Sequence, residues 1–71
     1  MKKITITTDY VTLGQFLKLA SIIQSGGEAK SYLLDAHCLI NGEEDNRRGR
    51  KLRDGDKIEI EGNIYIIEHV S

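Results

Sequence analysis

"SGGEAKSYLLDAHCLINGEEDNRRGRKLRDGD", Ser25 to Asp56, changes its hydrophobic period half-way along, and that change sets the class of fold. Ala29, Tyr32, Leu33 and Ala36 recur at the spacing of one helix face, behind Ser25 and Glu28 in the order of a capping box. Gly26 and Gly27 fall in the first turn of this helix, where absent side chains leave backbone N–H groups open to approach. From Cys38 the period drops to two. Cys38 and Ile40 share one side of a strand, Asn41-Gly42 supplies a turn with positive φ, and Asp54-Gly55 marks a second turn.

The flanks repeat the two periods. "KKITITTDY" sets Ile4 and Ile6 against Thr5 and Thr7, which predicts a half-buried strand. "TLGQFLKLASII" places Leu13, Phe16, Leu17, Ala20 and Ile23 at helical spacing, with Thr12 and Gln15 as a capping box, so a first helix begins after Thr12. Downstream, Ile58 and Ile60 point inward from a strand, a hairpin at Gly62-Asn63 follows, and a last strand closes the chain. The buried face of that strand stays open, because Ile64 and Ile66 alternate with Tyr65 and Ile67. The order is β, α, α, then three or four short strands: an α+β fold in which two helices cover one face of a small, mostly antiparallel sheet.

Seventy-one residues are expected to form one domain, 1–71. A chain of this size buries only about 60% of its unfolded surface, too little to wall off a deep pocket, so a binding surface is favoured over an enzyme site. Cys38 stands alone and no Cys or His cluster has metal spacing, so no cofactor, metal or disulfide is expected. The start lacks the apolar stretch of a signal peptide, and no apolar run reaches the roughly 18 residues of a membrane span. A cytoplasmic protein without membrane contact is the expectation. His37 and His69 lie in no catalytic grouping, and Cys38, on the apolar phase of its strand, reads as a core residue.

The formal net charge is -1, yet Arg47, Arg48, Arg50, Lys51 and Arg53 supply five of the ten Lys and Arg within seven residues. Arginine offers a planar fork of donors matched to phosphate, and clustered cations gain affinity by displacing counterions from nucleic acid. The competing reading is a solvated loop whose arginines pair with Glu43, Glu44 and Asp45. The "SGGEAK" helix start is the second candidate, offering unpaired amides and the ammonium of Lys30 to an anion. Against it, Glu28 brings negative charge to the same place.

These elements together resemble the RNA-binding domain named after the fourth protein of the small ribosomal subunit, the S-four domain. The stretches that carry the likeness are "LGQFLKLA", "SGGEAKSYLL", "CLING" and "LRDGDKIEI", over about residues 12 to 61. "GGEAK" and "NGEEDNRRGRKLRDGD" further resemble its small stand-alone bacterial members of the YaaA and YbcJ type. The resemblance implies the S-four-like (alpha-L) fold and an RNA-facing surface made by the second helix and the strand after it. By position it assigns RNA contacts to Lys30 and to Arg47, Arg48, Arg50 and Lys51, to which the helix start adds Ser25, Gly26 and Gly27 as a site of backbone amides. Gly26 stands where the family often has a basic residue, and Lys30 where it has arginine.

The function implied is a non-enzymatic module that reads the shape and phosphates of structured RNA, ribosomal RNA among the candidates, in association with the ribosome or another ribonucleoprotein. The tyrosines are scattered and Phe16 belongs to the core phase, so base stacking is not the expected mode. The alternative is an adaptor whose basic loop docks on an acidic protein.

Overall fold

A computed structural model describes all residues, 1–71. Its elements are β1 (Lys2–Ile6), β2 (Val11–Thr12), α1 (Leu13–Leu19), α2 (Glu28–Asp35), β3 (Cys38–Ile40), β4 (Glu43–Glu44), β5 (Lys51–Leu52), β6 (Lys57–Ile60) and β7 (Asn63–His69). Five strands form one sheet in the order β1-β7-β6-β3-β4, and β2 and β5 form a separate two-stranded ribbon. Only β1 and β7 pair in parallel; the remaining pairs are antiparallel. This is the α+β arrangement of an S-four-like fold, two helices on a mostly antiparallel sheet.

Alternation decides which sheet face is buried. Ile6, Cys38, Ile40, Ile58, Ile60, Tyr65 and Ile67 point into the core, where they meet Leu13, Phe16 and Leu17 of α1 and Ala29 and Leu33 of α2. The last strand therefore buries Tyr65 and Ile67, and leaves Ile64 and Ile66 half-buried on the other side. Sequence alternation could not choose between these pairs, since each is apolar enough to face a core. The register against β6, with Ile58 opposite Tyr65, makes the choice.

The turns at Asn41-Gly42 and Asp54-Gly55 form as expected, with φ of 53° and 86° at the first and 87° at Gly55. The last hairpin sits one residue earlier than expected. Ile60 pairs with Asn63, so Glu61 (φ 50°) and Gly62 (φ 79°) make the turn and Asn63 opens β7. Only Gly takes such an angle without cost, and Glu61 tolerates it as the lone non-glycine of a two-residue loop.

Helix α1 starts as the capping box predicts: Thr12 Oγ1 accepts from the Gln15 amide at 3.2 Å, and Gln15 Oε1 accepts from the Thr12 amide at 2.9 Å. It ends before Ala20. Ser21 adopts φ 60°, its N–H donating to the Lys18 carbonyl while the Ile22 N–H donates to that of Leu17. These two bonds are the Schellman pattern with serine in the place usually held by glycine, and they swing Ile23 into the core from outside the helix.

Helix α2 departs from its predicted start. Its first residue is Glu28 and its N-cap is Gly27, which is already helical (φ -67°, ψ -19°) and has no side chain to cap with. Ser25 and Gly26 precede it in a tighter turn, their carbonyls accepting from the amides of Glu28 and Ala29. Ser25 thus forms only half a box: Glu28 Oε1 accepts from its amide at 3.2 Å and its hydroxyl at 3.3 Å. Two adjacent glycines favour this tight entry over an N-cap at Ser25.

Candidate nucleic-acid interface

The basic loop is held by its own backbone before its side chains matter. The carbonyl of Arg50 accepts from the Leu13 amide at 2.7 Å and that of Arg48 accepts from the Gly14 amide at 2.9 Å. Two of the donors that a helix start leaves unpaired are satisfied by the loop itself. The β2–β5 ribbon fixes the same join, placing Val11 opposite Leu52 with both side chains buried.

Within the loop, Asp45 organises two of the five cations. Its Oδ1 accepts from the Arg47 amide at 2.9 Å and Nε at 3.1 Å, while Oδ2 accepts from Arg47 Nη2 at 2.8 Å and Arg50 Nη1 at 2.9 Å. The Asp45 side chain is only 9% exposed. Hydrogen bonds from Arg47, then from Arg50, outweigh its burial and hold the carboxyl well below the usual aspartate range, and the same pairing raises Arg47. The run is therefore not uniformly exposed. Arg50 is 30% exposed and tied down, a partly structural residue; Arg47 is more open but held by the same carboxylate.

Arg48 and Lys51 are exposed and have no carboxylate within salt-bridge distance. Arg48 and Gly49 line a shallow groove with Gly14 and Lys18 of α1 and with Gly26 and Ala29 at the start of α2. At Gly14 an added Cβ would lie 3.5 Å from both the Ala29 Cβ and the Arg48 carbonyl, so helix, helix and loop touch there. The glycine turn and one arginine of the basic run are thus neighbours in space, across a helix and a strand of sequence. The amides of Gly26 and Gly27 donate to no group in the molecule. Lys30 lies exposed on α2, one turn beyond Gly26, without an ion pair and outside this groove.

Lys18 escaped sequence reading, being one polar residue on the outer face of α1 with nothing local to mark it. Arg53 and Tyr10 escaped as a pair: Lys51 Nζ and Arg53 Cζ stand 5.0 Å and 5.3 Å from the Tyr10 ring centroid. That cluster depends on two-residue strands, too short to show any period.

Groups that could act in catalysis are engaged otherwise. Burial pushes the Cys38 thiol up to about 11, Asp45 adding to it, so the residue is a protonated part of the core. His37 is exposed beside Glu44, with Nδ1 3.3 Å from Oε2, and His69 is exposed, its backbone amide, not its ring, donating to Asp54. No three His, Cys, Asp or Glu side chains gather where they could hold a metal ion. No helix is long and apolar enough to cross a membrane.

A family model described as the S4 domain matches residues 4–68. The chain belongs to the S4 domain family. The likeness expected over residues 12 to 61 extends further at both ends, taking in the last three residues of β1 and all but the last of β7. The chain is also 63% identical over 59 residues, 83% of either protein, to a protein named probable ribosome maturation protein RlbA of Bacillus subtilis (strain 168). No solved structure matches it. In this S4 domain the second helix and the loop after the Asn-Gly turn meet through Gly14 of α1, a residue in neither of the predicted contact segments.

Proposed function

We propose that this S4 domain protein is a non-enzymatic, cytoplasmic module that binds structured RNA through its phosphates, with ribosomal RNA as the target class. The observation that carries this is the groove that Arg48 and Lys18, neither in an ion pair, line together with Gly26, whose amide donates to no group in the molecule. Cations and backbone donors converging on one concavity suit a phosphate, and Arg adds geometric selectivity. Ser25, Gly26, Gly27, Lys30, Arg48 and Lys51 are the proposed contacts, while Arg47 and Arg50 reach phosphates only to the extent that Asp45 gives them up. The name of the Bacillus relative, a ribosome maturation protein, supports the same class of target.

The test is titration of the protein with a structured ribosomal RNA fragment over a range of salt. Affinity should fall with a log-log slope of about -0.7 to -0.9 per phosphate neutralised; absence of binding at low salt would refute the reading. An acidic protein partner would share the salt sensitivity, so crosslinking in cells with separate recovery of RNA and protein distinguishes the two.

Three substitutions localise the contact. Arg48→Ala should leave stability within about 0.5 kcal/mol, as an exposed change does, while the salt slope shrinks by about one phosphate. Arg50→Ala, by contrast, should lower the urea midpoint by removing one of Asp45's donors. Equal stability of the two variants would refute this division. Gly27→Glu should keep the fold, since Gly27 has ordinary φ and an added Cβ would meet nothing within 4 Å. It should weaken RNA binding by roughly fivefold by placing a carboxylate at the positive end of α2; unchanged affinity at equal stability would exclude that helix start as a contact.

A further inference from the structure

Tyr10 lies one residue before β2, and extending the ribbon register places it opposite Arg53. Lys51 and Arg53, both without a carboxylate partner, sit against its ring at 5.0 Å and 5.3 Å from the centroid, and the residue is still 38% exposed. The ring also lines an open groove with Thr7, Thr8, Asp9, Lys18 and Leu19, and neither cation lines that groove. With both cations against the ring, Tyr10 still keeps 38% of its surface open to solvent. Lys18 and Gln15 border this groove and also the one holding Arg48 and Gly26, so the two grooves meet across α1.

The chemistry of the second groove differs from that of the first. Asp9 repels a phosphate, whereas its carboxylate and the Thr7 hydroxyl suit the polar edge of a nucleobase; the Thr8 hydroxyl donates to the Tyr10 carbonyl at 2.8 Å and is left as an acceptor only. A partly exposed aromatic ring beside cations without ion pairs is an arrangement on which a base can stack, displacing a flexible cation from the ring, while its phosphates are neutralised alongside. We infer that Tyr10 is a stacking platform for one unpaired nucleotide, whose neighbouring phosphates are met by Lys51, Arg53 and Lys18. The inference rests on the RNA reading above and adds to it a nucleotide subsite, on a residue outside the contacts named there. It also reverses the expectation that stacking has no part, because the ribbon assembles a cation-flanked ring that scattered tyrosines do not announce.

The experiment compares two fluorescein-labelled RNA hairpins, identical except that one carries a single unpaired adenosine in its stem. The parent protein should bind the bulged hairpin more tightly, by roughly tenfold, within the range that base–aromatic stacking contributes. Tyr10→Phe should keep that preference, and Tyr10→Leu should abolish it while binding the regular hairpin as the parent does. If Tyr10→Leu keeps the preference, or weakens both hairpins equally, the ring is not a stacking platform; the second result would mean that it only positions Lys51 and Arg53. A measurement without mutation guards against misfolding: 4-thiouridine at the unpaired position should photo-crosslink the parent protein at Tyr10, and crosslinks confined to other residues would overturn the inference. A parent protein that binds neither hairpin would remove the RNA reading and this subsite together, whereas binding to both without preference would remove the subsite alone.

Discussion

A Phe16→Ala variant is expected to lose about 3–5 kcal/mol of stability, the usual range for deleting a buried phenyl ring. Phe16 is fully buried on α1 and meets Tyr65 of β7 edge-on, with ring centroids 5.2 Å apart and planes at 82°. It thus joins the helix layer to the sheet at a strand that also carries β1. A domain this short stands near the low end of the roughly 5–15 kcal/mol found for native proteins, so the loss should leave a substantial unfolded fraction without denaturant. Urea unfolding followed by circular dichroism measures it, with Phe16→Leu as the milder companion at about 1–1.5 kcal/mol. A Phe16→Ala protein that unfolded cooperatively within about 1 kcal/mol of the parent would show that the core is not organised around this ring.

The second large effect is expected at Asp45, where stability and binding should move in opposite directions. Asp45→Asn keeps the shape of the side chain but removes the charge that four donor atoms from Arg47 and Arg50 share. Hydrogen bonds to a charged group contribute about 1.5–3 kcal/mol, so a loss of roughly 2 kcal/mol is expected on the same scale. The acid limb supplies an independent check. Because the folded carboxyl lies below its ordinary value, the Asp45 contribution is complete above the unfolded pKa of about 4. It is lost as the pH falls from there toward the lowered folded value. The gap between parent and variant should therefore narrow on acidification; a gap that stayed constant down to strongly acid pH would show that the charge of Asp45 is not what stabilises the loop. RNA affinity at low salt should meanwhile rise, since the variant releases Arg47 and Arg50 for phosphates, and the salt slope should steepen by up to about 0.7–0.9 for each arginine released. Weaker binding in a folded Asp45→Asn protein would mean instead that the carboxylate aims the arginines at the RNA.

Local rules account for much of the architecture. The change of period at Cys38, the Thr12-Gln15 capping box and the Asn41-Gly42 and Asp54-Gly55 turns each depend on residues within a few positions of one another, so local preference and final structure agree. The α+β class and the helix order were legible from them, and the S4 family from the resemblance carried by the stretches around them. The glycine turn and the cation cluster were also visible as chemistry, because amide access and guanidinium charge are properties of residue type.

What remained hidden depended on partners far along the chain. Ile64, Tyr65, Ile66 and Ile67 are all apolar, and only the pairing with β6 sends Tyr65 and Ile67 inward. The entry to α2 shifted from Ser25 to Gly27 because flexible glycines let the turn tighten, a preference that the capping-box pattern masks in the sequence. Five cations looked alike in sequence, yet a single buried carboxylate ties Arg47 and Arg50 together, the α1 groove leaves Arg48 free, and a two-residue ribbon sets Lys51 and Arg53 on Tyr10. The sequence by itself determined which elements exist and which chemistry they carry, since period, capping and charge act over a few residues. Only the tertiary structure decided which cations are structural and which are available, because that depends on a carboxylate, a helix end and an aromatic ring brought together from distant parts of the chain.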